Sequence, residues 1–127
     1  MTDIFVFGSN LSGIHSRGAA LDAVKYHGAI RYQARGLQGS AYAIPTRGLH
    51  HYRFGKHTFD ARTLDEIALD ASEFIAFAAD QLLEMRFNLT RVGCGNAGFS
   101  DAEMAPLFNG WSDNVVIPKE WELYASR

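Results

Sequence analysis

The chain has 127 residues, of which 47% are hydrophobic and 13% aromatic, enough for one domain with its own core. Its formal net charge of −2, with no basic run, argues against nucleic acid as a partner. The apolar run at residues 4–7 is too short for a signal peptide, and no segment has the length of a membrane span, so we expect no membrane partner. The single cysteine, Cys94, excludes an intramolecular disulfide and favours a reducing compartment. We therefore expect a cytoplasmic protein.

Strand signals and helix signals alternate along the chain. Apolar, β-prone runs predict strands at residues 4–7, 41–44, 89–92 and 114–117, with a short extended piece at 29–33 and Pro45 ending the second strand. Residues 47–60 have no clear period and are predicted to form a loop, a lid or a short hairpin.

Helices are predicted between these strands. The first covers about residues 17–26 and is ended by Gly28. Capping boxes start a long helix at Thr63, with apolar residues at helical spacing as far as Met85, and a shorter helix from Ser100 to about residue 108. A last short helix is predicted at 120–124. This alternation predicts a single α/β domain over residues 1–127, with helices covering a sheet.

Two glycine-rich segments each follow a predicted strand and precede a predicted helix. The first is Gly8-Ser9-Asn10-Leu11-Ser12-Gly13, and the second is Gly93-Cys94-Gly95-Asn96-Ala97-Gly98. Glycine lets a ligand approach the main chain closely, and the N–H groups of a helix N-terminus attract an anion. Ligands of α/β folds bind at the carboxyl ends of strands, where both segments lie. The pair therefore predicts a clamp for a diphosphate.

Two other interpretations of these glycines compete with a diphosphate clamp. Gly93, Gly95 and Gly98 have the G-x-G-x-x-G spacing of a dinucleotide site, but that motif belongs to the first strand–helix unit, with an acid after the next strand. Here the motif comes late, and the nearest later acid, Asp113, precedes its strand. In the other interpretation the glycines bind no ligand and only allow a tight turn and a close contact with a helix.

Four segments together resemble the macrodomain family: Gly8-Ser9-Asn10, Ser16-Arg17-Gly18-Ala19-Ala20-Leu21, Tyr42-Ala43-Ile44-Pro45-Thr46 and Arg91-Val92-Gly93-Cys94-Gly95-Asn96-Ala97-Gly98-Phe99. The resemblance covers residues 4 to about 117. It implies a three-layer α/β fold, a mixed sheet flanked by helices, that binds ADP-ribose or a related nucleotide diphosphate-ribose, free or on an ADP-ribosylated protein. No cofactor is implied. Some relatives hydrolyse ADP-ribosyl esters or ADP-ribose 1″-phosphate, so both a hydrolase and a non-catalytic binding module remain open, as does an interaction protein with purely structural glycine turns.

The resemblance also assigns ligand contacts to individual positions. The late segment would surround the diphosphate and distal ribose, the start of the first helix would present N–H groups, and the remaining positions would form the walls. These positions are Gly8, Ser9, Asn10, Gly13, Gly18, Ala19, Thr46, Gly93, Gly95, Asn96, Ala97, Gly98 and Phe99. Arg47 stands where some hydrolytic relatives have a lysine, and Ala97 lies at or near their aspartate. Because arginine stays protonated, a glycohydrolase mechanism that uses those residues is disfavoured.

Two polar residues, Asn10 in the first segment and His15 between that segment and the first helix, are candidates for catalysis. His15 has a pKa range suited to a general acid or base, or it is a surface loop histidine. Asn10 would orient a ribose hydroxyl or a water, or it caps local backbone. Cys94 has no evident base partner and is expected to be a small buried residue. The adjacent histidines 50 and 51 point to opposite faces of a strand, so with His57 they are not expected to form a metal site.

Overall fold

One mixed sheet of six strands organises the computed structural model, which describes every residue from Met1 to Arg127. The strands are β1 (Thr2–Asn10), β2 (Gly36–Gln38), β3 (Ala41–Arg53), β4 (Lys56–Ala61), β5 (Met85–Leu89) and β6 (Val115–Val116). Their order is β2-β3-β1-β5-β6, and β4 pairs with the distal part of β3. The adjacent pairs β3–β1, β1–β5 and β5–β6 are parallel. Strands β2 and β4 each run antiparallel to β3.

Three α-helices cover the two faces of this sheet. They are α1 (Gly18–His27), α2 (Leu64–Asp80) and α3 (Asp101–Met104), and 3-10 turns follow at Ala105–Phe108 and Lys119–Trp121. Because side chains alternate along a strand, β1 directs Phe7 toward α1 and directs Ile4 and Val6 toward α2. The predicted α/β fold, a mixed sheet flanked by helices in three layers, is confirmed. No helix has the combination of length and apolar character that a membrane span needs.

Several predicted elements have other bounds in the structure. Strand β1 continues through Gly8 to Asn10, because these residues pair with the parallel strand β3. The strand predicted at 89–92 instead ends at Leu89, and α2 ends at Asp80, so Met85 belongs to β5 and not to the helix. Residues 29–33 form no strand, and the extended piece lies at Gly36–Gln38.

Pro45 does not end its strand, contrary to prediction. The pairing of β3 with β2 stops at Ala43, and its pairing with β4 starts at Arg47. The outer edge of β3 is therefore unpaired at Pro45, and a residue without an N–H group costs no ladder hydrogen bond there. The Pro45 carbonyl accepts a hydrogen bond from Arg62 on that side. β3 then continues into a hairpin with β4, which confirms the hairpin alternative for residues 47–60.

Candidate functional site

A cavity of about 1000 Å³ lies beside the carboxyl ends of the parallel strands β1 and β5. Four parts of the chain line it: the end of β1, the start of α1, the second glycine segment and the base of the β3–β4 hairpin. This is the edge of the sheet where open α/β folds bind their ligands. The two glycine segments, about 80 residues apart in the sequence, thus face one space.

The structure brings most of the predicted ligand-contacting positions to this cavity. Those that line it are Gly8, Ser9, Asn10, Gly18, Ala19, Thr46, Gly93, Gly95, Asn96 and Ala97. Gly13, His15, Gly98 and Phe99 do not line it. Gly13 has a φ of +68°, and a Cβ there would lie 2.5 Å from the Tyr32 backbone, so this glycine serves a close chain contact. Gly98 and Phe99 donate backbone hydrogen bonds that close the second segment, to Gly95 and Gly93.

The start of α1 presents free backbone donors to the cavity. Its first intrahelical bond runs from Leu21 N–H to the Arg17 carbonyl, and no side chain caps the helix. The N–H groups of Gly18, Ala19 and Ala20 therefore have no acceptor within the protein. Such unpaired groups, together with the positive end of the helix dipole, form a binding site for an anion.

The second glycine segment adds donors from the other side. The N–H groups of Gly95, Asn96 and Ala97 also lack an acceptor in the protein. A Cβ on Gly95 would meet no atom within 4 Å, so this residue faces open space. The segment lies close to β1 at Gly8, where a Cβ would be in van der Waals contact with Gly93 N at 3.5 Å and in tight contact with Thr46 Oγ1 at 3.3 Å. The two glycine segments are thus neighbours at this edge of the sheet.

The lining is positively charged, although the whole protein is slightly acidic. It contains three arginines and no aspartate or glutamate. Arg91 is paired with Asp101, at 2.7 and 2.9 Å, but Arg17 and Arg47 form no ion pair. Burial, reinforced by the nearby charge of Arg17, lowers the pKa of Arg47 below its ordinary value. An anion in the cavity would stabilise both unpaired guanidinium groups.

The base of the β3–β4 hairpin (Arg47, His50, His57 and Phe59) forms one wall of the cavity. The sequence did not predict it as a ligand surface. The guanidinium carbon of Arg47 lies 4.1 Å from the centre of the Phe59 ring, a cation–π contact. His50 Nε2 and His57 Nδ1 are 2.9 Å apart and hydrogen-bonded. These residues meet only because β3 and β4 pair, and the local signal for that pairing was weak: one glycine, Gly55, between two β-prone runs. Arg17 was also missed, because a lone loop arginine carries no pattern.

Neither candidate catalytic side chain is available to a ligand: the polar atoms of Asn10 are occupied, and His15 is inaccessible, with Nδ1 unpaired in the interior. Asn10 lines the cavity, but its amide donates to the Ile14 carbonyl at 2.8 Å and its Oδ1 accepts from Ile14 N–H at 3.0 Å. This is the capping alternative. His15 is completely buried beneath an edge-on contact with Phe7, and its Nε2 lies 3.1 Å from the Gln33 carbonyl. Burial lowers the pKa of His15, and the surface-loop interpretation of this residue is wrong.

The remaining nucleophile and metal candidates include Cys94, His50 and His57, which line the cavity, and Cys94 is half-buried rather than buried. Burial raises the pKa of Cys94 to about 11, so the thiolate form is scarce at neutral pH. His51 contacts Asp60 on the opposite side from the His50–His57 pair. No group of three or more histidine, cysteine, aspartate or glutamate side chains is arranged to hold a metal ion.

Comparison of the chain with protein-family models, with characterised proteins and with solved structures finds no match. The macrodomain resemblance therefore stays a prediction, and the geometry of the cavity carries the functional argument.

Proposed function

We propose that the cavity binds the diphosphate of ADP-ribose or of a related nucleotide diphosphate-ribose. One observation carries this proposal: two separate groups of unpaired backbone N–H donors, at the start of α1 and in residues 95–97, belong to residues that line a single cavity without an acidic residue. Phosphate oxygens accept hydrogen bonds from such donors, and the positive end of the α1 dipole favours their charge. Two groups of donors match the two linked phosphates of a diphosphate better than they match a single phosphate.

The rest of the cavity suits the organic parts of such a ligand. Its volume of about 1000 Å³ is at the upper end of small-molecule sites, so it accommodates more than an isolated phosphate. The Arg47–Phe59 pair and the histidine pair offer flat surfaces along the hairpin wall. Rings of a nucleoside stack on surfaces of this kind.

The environments of the predicted catalytic residues and of Cys94 favour a binding module over a hydrolase. A hydrolytic site needs a side chain that moves a proton or attacks the substrate. His15 is buried outside the lining, both polar atoms of Asn10 bond to backbone, and Cys94 stays protonated. We therefore propose recognition of the ligand, free or attached to an ADP-ribosylated protein, in the reducing compartment that a single thiol favours.

Calorimetry with ADP-ribose, AMP and NAD tests the proposal. We expect ADP-ribose to bind more tightly than AMP, because AMP lacks the second phosphate. Gly95→Val should abolish binding, because a branched side chain at this cavity-lining position would keep phosphate away from the backbone N–H groups. It should not lower the thermal stability, because a Cβ there meets no protein atom within 4 Å and Gly95 does not have a positive φ.

Gly93→Val provides the matched control. Gly93 has a φ of +79°, and a Cβ there would lie 2.8 Å from Met104 Sδ, so this variant should unfold at a lower temperature. If folded Gly95→Val binds ADP-ribose as well as the wild type does, the diphosphate site is misplaced. Absence of binding to all three compounds by the wild-type protein would reject the proposed function itself.

A further inference from the structure

The β3–β4 hairpin projects from the sheet as a two-stranded ribbon. Beyond Arg47, β3 pairs only with β4, which is exposed along almost its whole length. The two strands are joined by a two-residue turn, Phe54-Gly55, in which both residues have positive φ, +53° and +75°. That is the pattern of a type I′ turn, whose first position favours asparagine, aspartate or glycine.

The hairpin tip (residues 52–56) has side chains that local folding does not favour. Phe54 is 100% exposed and adopts a left-handed backbone that is costly for a bulky residue. Arg53 lies directly opposite Lys56, and like charges in that position repel. Neither of these charges has an acidic partner. An apolar side chain and two unpaired positive charges are thus presented to the surroundings at a cost to the fold.

The same hairpin leads directly into the cavity. His57 is the cross-strand partner of Tyr52, and the centres of their rings are 4.7 Å apart. His57 also lines the cavity, together with His50 and Phe59 from the hairpin base. A molecule seated on the tip would therefore be continuous with a ligand in the cavity.

We propose that the hairpin tip docks an acidic, extended polypeptide that carries the cavity ligand; this inference rests on the proposed function. Acidic side chains complement Arg53 and Lys56, and an apolar side chain covers Phe54. The outer edge of β4 has no partner strand, and its free N–H and C=O groups match those of an extended peptide. Nucleic acid cannot use that edge, and two tip charges on a protein of net charge −2 neutralise few phosphates.

Phe54→Asn separates docking from folding. Asparagine followed by Gly55 is a favoured pair for this turn, so the variant should be at least as thermally stable as the wild type. It should nevertheless lose peptide binding, because the apolar contact is removed. Lys56→Glu tests the charge in the same way. It replaces the repulsion between Arg53 and Lys56 by an attraction, so the fold should be at least as stable, but the new carboxylate should repel an acidic partner.

Tyr32→Asn is the matched control for Phe54→Asn. Tyr32 is also an exposed aromatic residue, with 81% of its surface accessible, and it also has a positive φ, +72°. It lies outside both the hairpin and the cavity lining. Its replacement should relieve similar backbone strain without changing any binding.

The probes are free ADP-ribose, a short peptide of alternating glutamate and leucine, the same peptide carrying ADP-ribose through a hydrolysis-resistant linkage, and oligothymidylate. We expect the conjugate to bind the wild type at least about tenfold more tightly than free ADP-ribose, since linking two sites adds avidity. Phe54→Asn and Lys56→Glu should remove most of that gain and leave the affinity for free ADP-ribose unchanged.

Each other result decides against a specific statement. Equal affinities for the conjugate and free ADP-ribose, or conjugate binding that both tip variants retain, would overturn the docking inference while leaving the proposed function intact. Tighter binding of oligothymidylate than of the acidic peptide would show that the hairpin tip docks nucleic acid and not a polypeptide. Tip-dependent binding of the peptide without any binding of ADP-ribose would support the docking surface and reject the proposed function.

Discussion

The start of α1 and the start of α2 both have backbone N–H groups without an acceptor in the helix, but only α2 has side chains that cap them. Each helix begins with a bond from its fourth N–H to a carbonyl, Leu21 to Arg17 in α1 and Ile67 to Thr63 in α2. In α2 the Thr63 hydroxyl accepts from Glu66 N–H, and the Glu66 carboxylate accepts from Thr63 N–H. In α1 no side chain accepts, and no acidic residue occupies the first turn.

The difference follows the position of each helix in the fold. α3 has a complete capping box of Ser100 and Glu103, as α2 has, and neither of these two helix starts lines the cavity. Among the α-helices, only α1 has no side-chain cap at its start, and only α1 starts at the cavity. A helix end that is capped serves the fold alone, whereas an open end directed at a positively charged cavity serves a ligand.

Arg17→Asp should give α1 a side-chain cap, as α2 and α3 have, and should have the largest effect among the changes to these helix starts. A carboxylate beside the free N–H groups would compete with an anionic ligand and reverse the charge next to Arg47. We expect the affinity for ADP-ribose, measured by calorimetry, to fall at least about tenfold, since loss of one charged hydrogen bond alone has an effect of that size. Arg17→Gln, which removes charge without reversing it, should have a smaller effect. An unchanged affinity in Arg17→Asp would show that the start of α1 does not contact the anion.

Thr63→Ala opens the capped helix and should affect only stability. Loss of an N-cap hydroxyl lowers the free energy of unfolding by about 1 kcal/mol. Urea unfolding measures this loss, and calorimetry should show the same ADP-ribose affinity as in the wild type. A weaker affinity in Thr63→Ala would mean that helix starts remote from the cavity also influence the ligand site, and the comparison would fail.

The smallest effect is expected from the pH dependence of the α2 cap. Hydrogen bonds from the Thr63 N–H and hydroxyl lower the pKa of Glu66 below its ordinary value of 4.5. Because the folded-state pKa is depressed, the stabilisation is complete above that ordinary value and is lost as the pH falls through the folded pKa. The difference in unfolding free energy between the wild type and Glu66→Gln should therefore shrink in acid. A difference that is constant across that range would exclude the carboxylate as the capping group.

Local sequence signals predicted the elements whose cause is local. The two capping boxes, the left-handed Gly28 that ends α1 and the apolar run of β1 are all present in the structure. Predictions failed where a neighbouring strand decides the outcome, as at Pro45, which an unpaired edge tolerates. The glycine segments were predicted to share a site because both follow strands that lead to the same sheet edge. His15 was assigned to that site from sequence proximity alone, yet its side chain points into the core.

The sequence by itself determined the α/β class, the helix starts and the two glycine segments, because a residue's own sterics and its contacts within one helical turn or strand fix these features. Only the tertiary structure decided which groups share the cavity. The approach of Gly8 to Gly93, the charge of Arg17 near Arg47 and the pairing that places Phe59 on the cavity wall join residues far apart in the chain. Such contacts depend on which strands become neighbours, and strand pairing is set by the packing of the whole sheet.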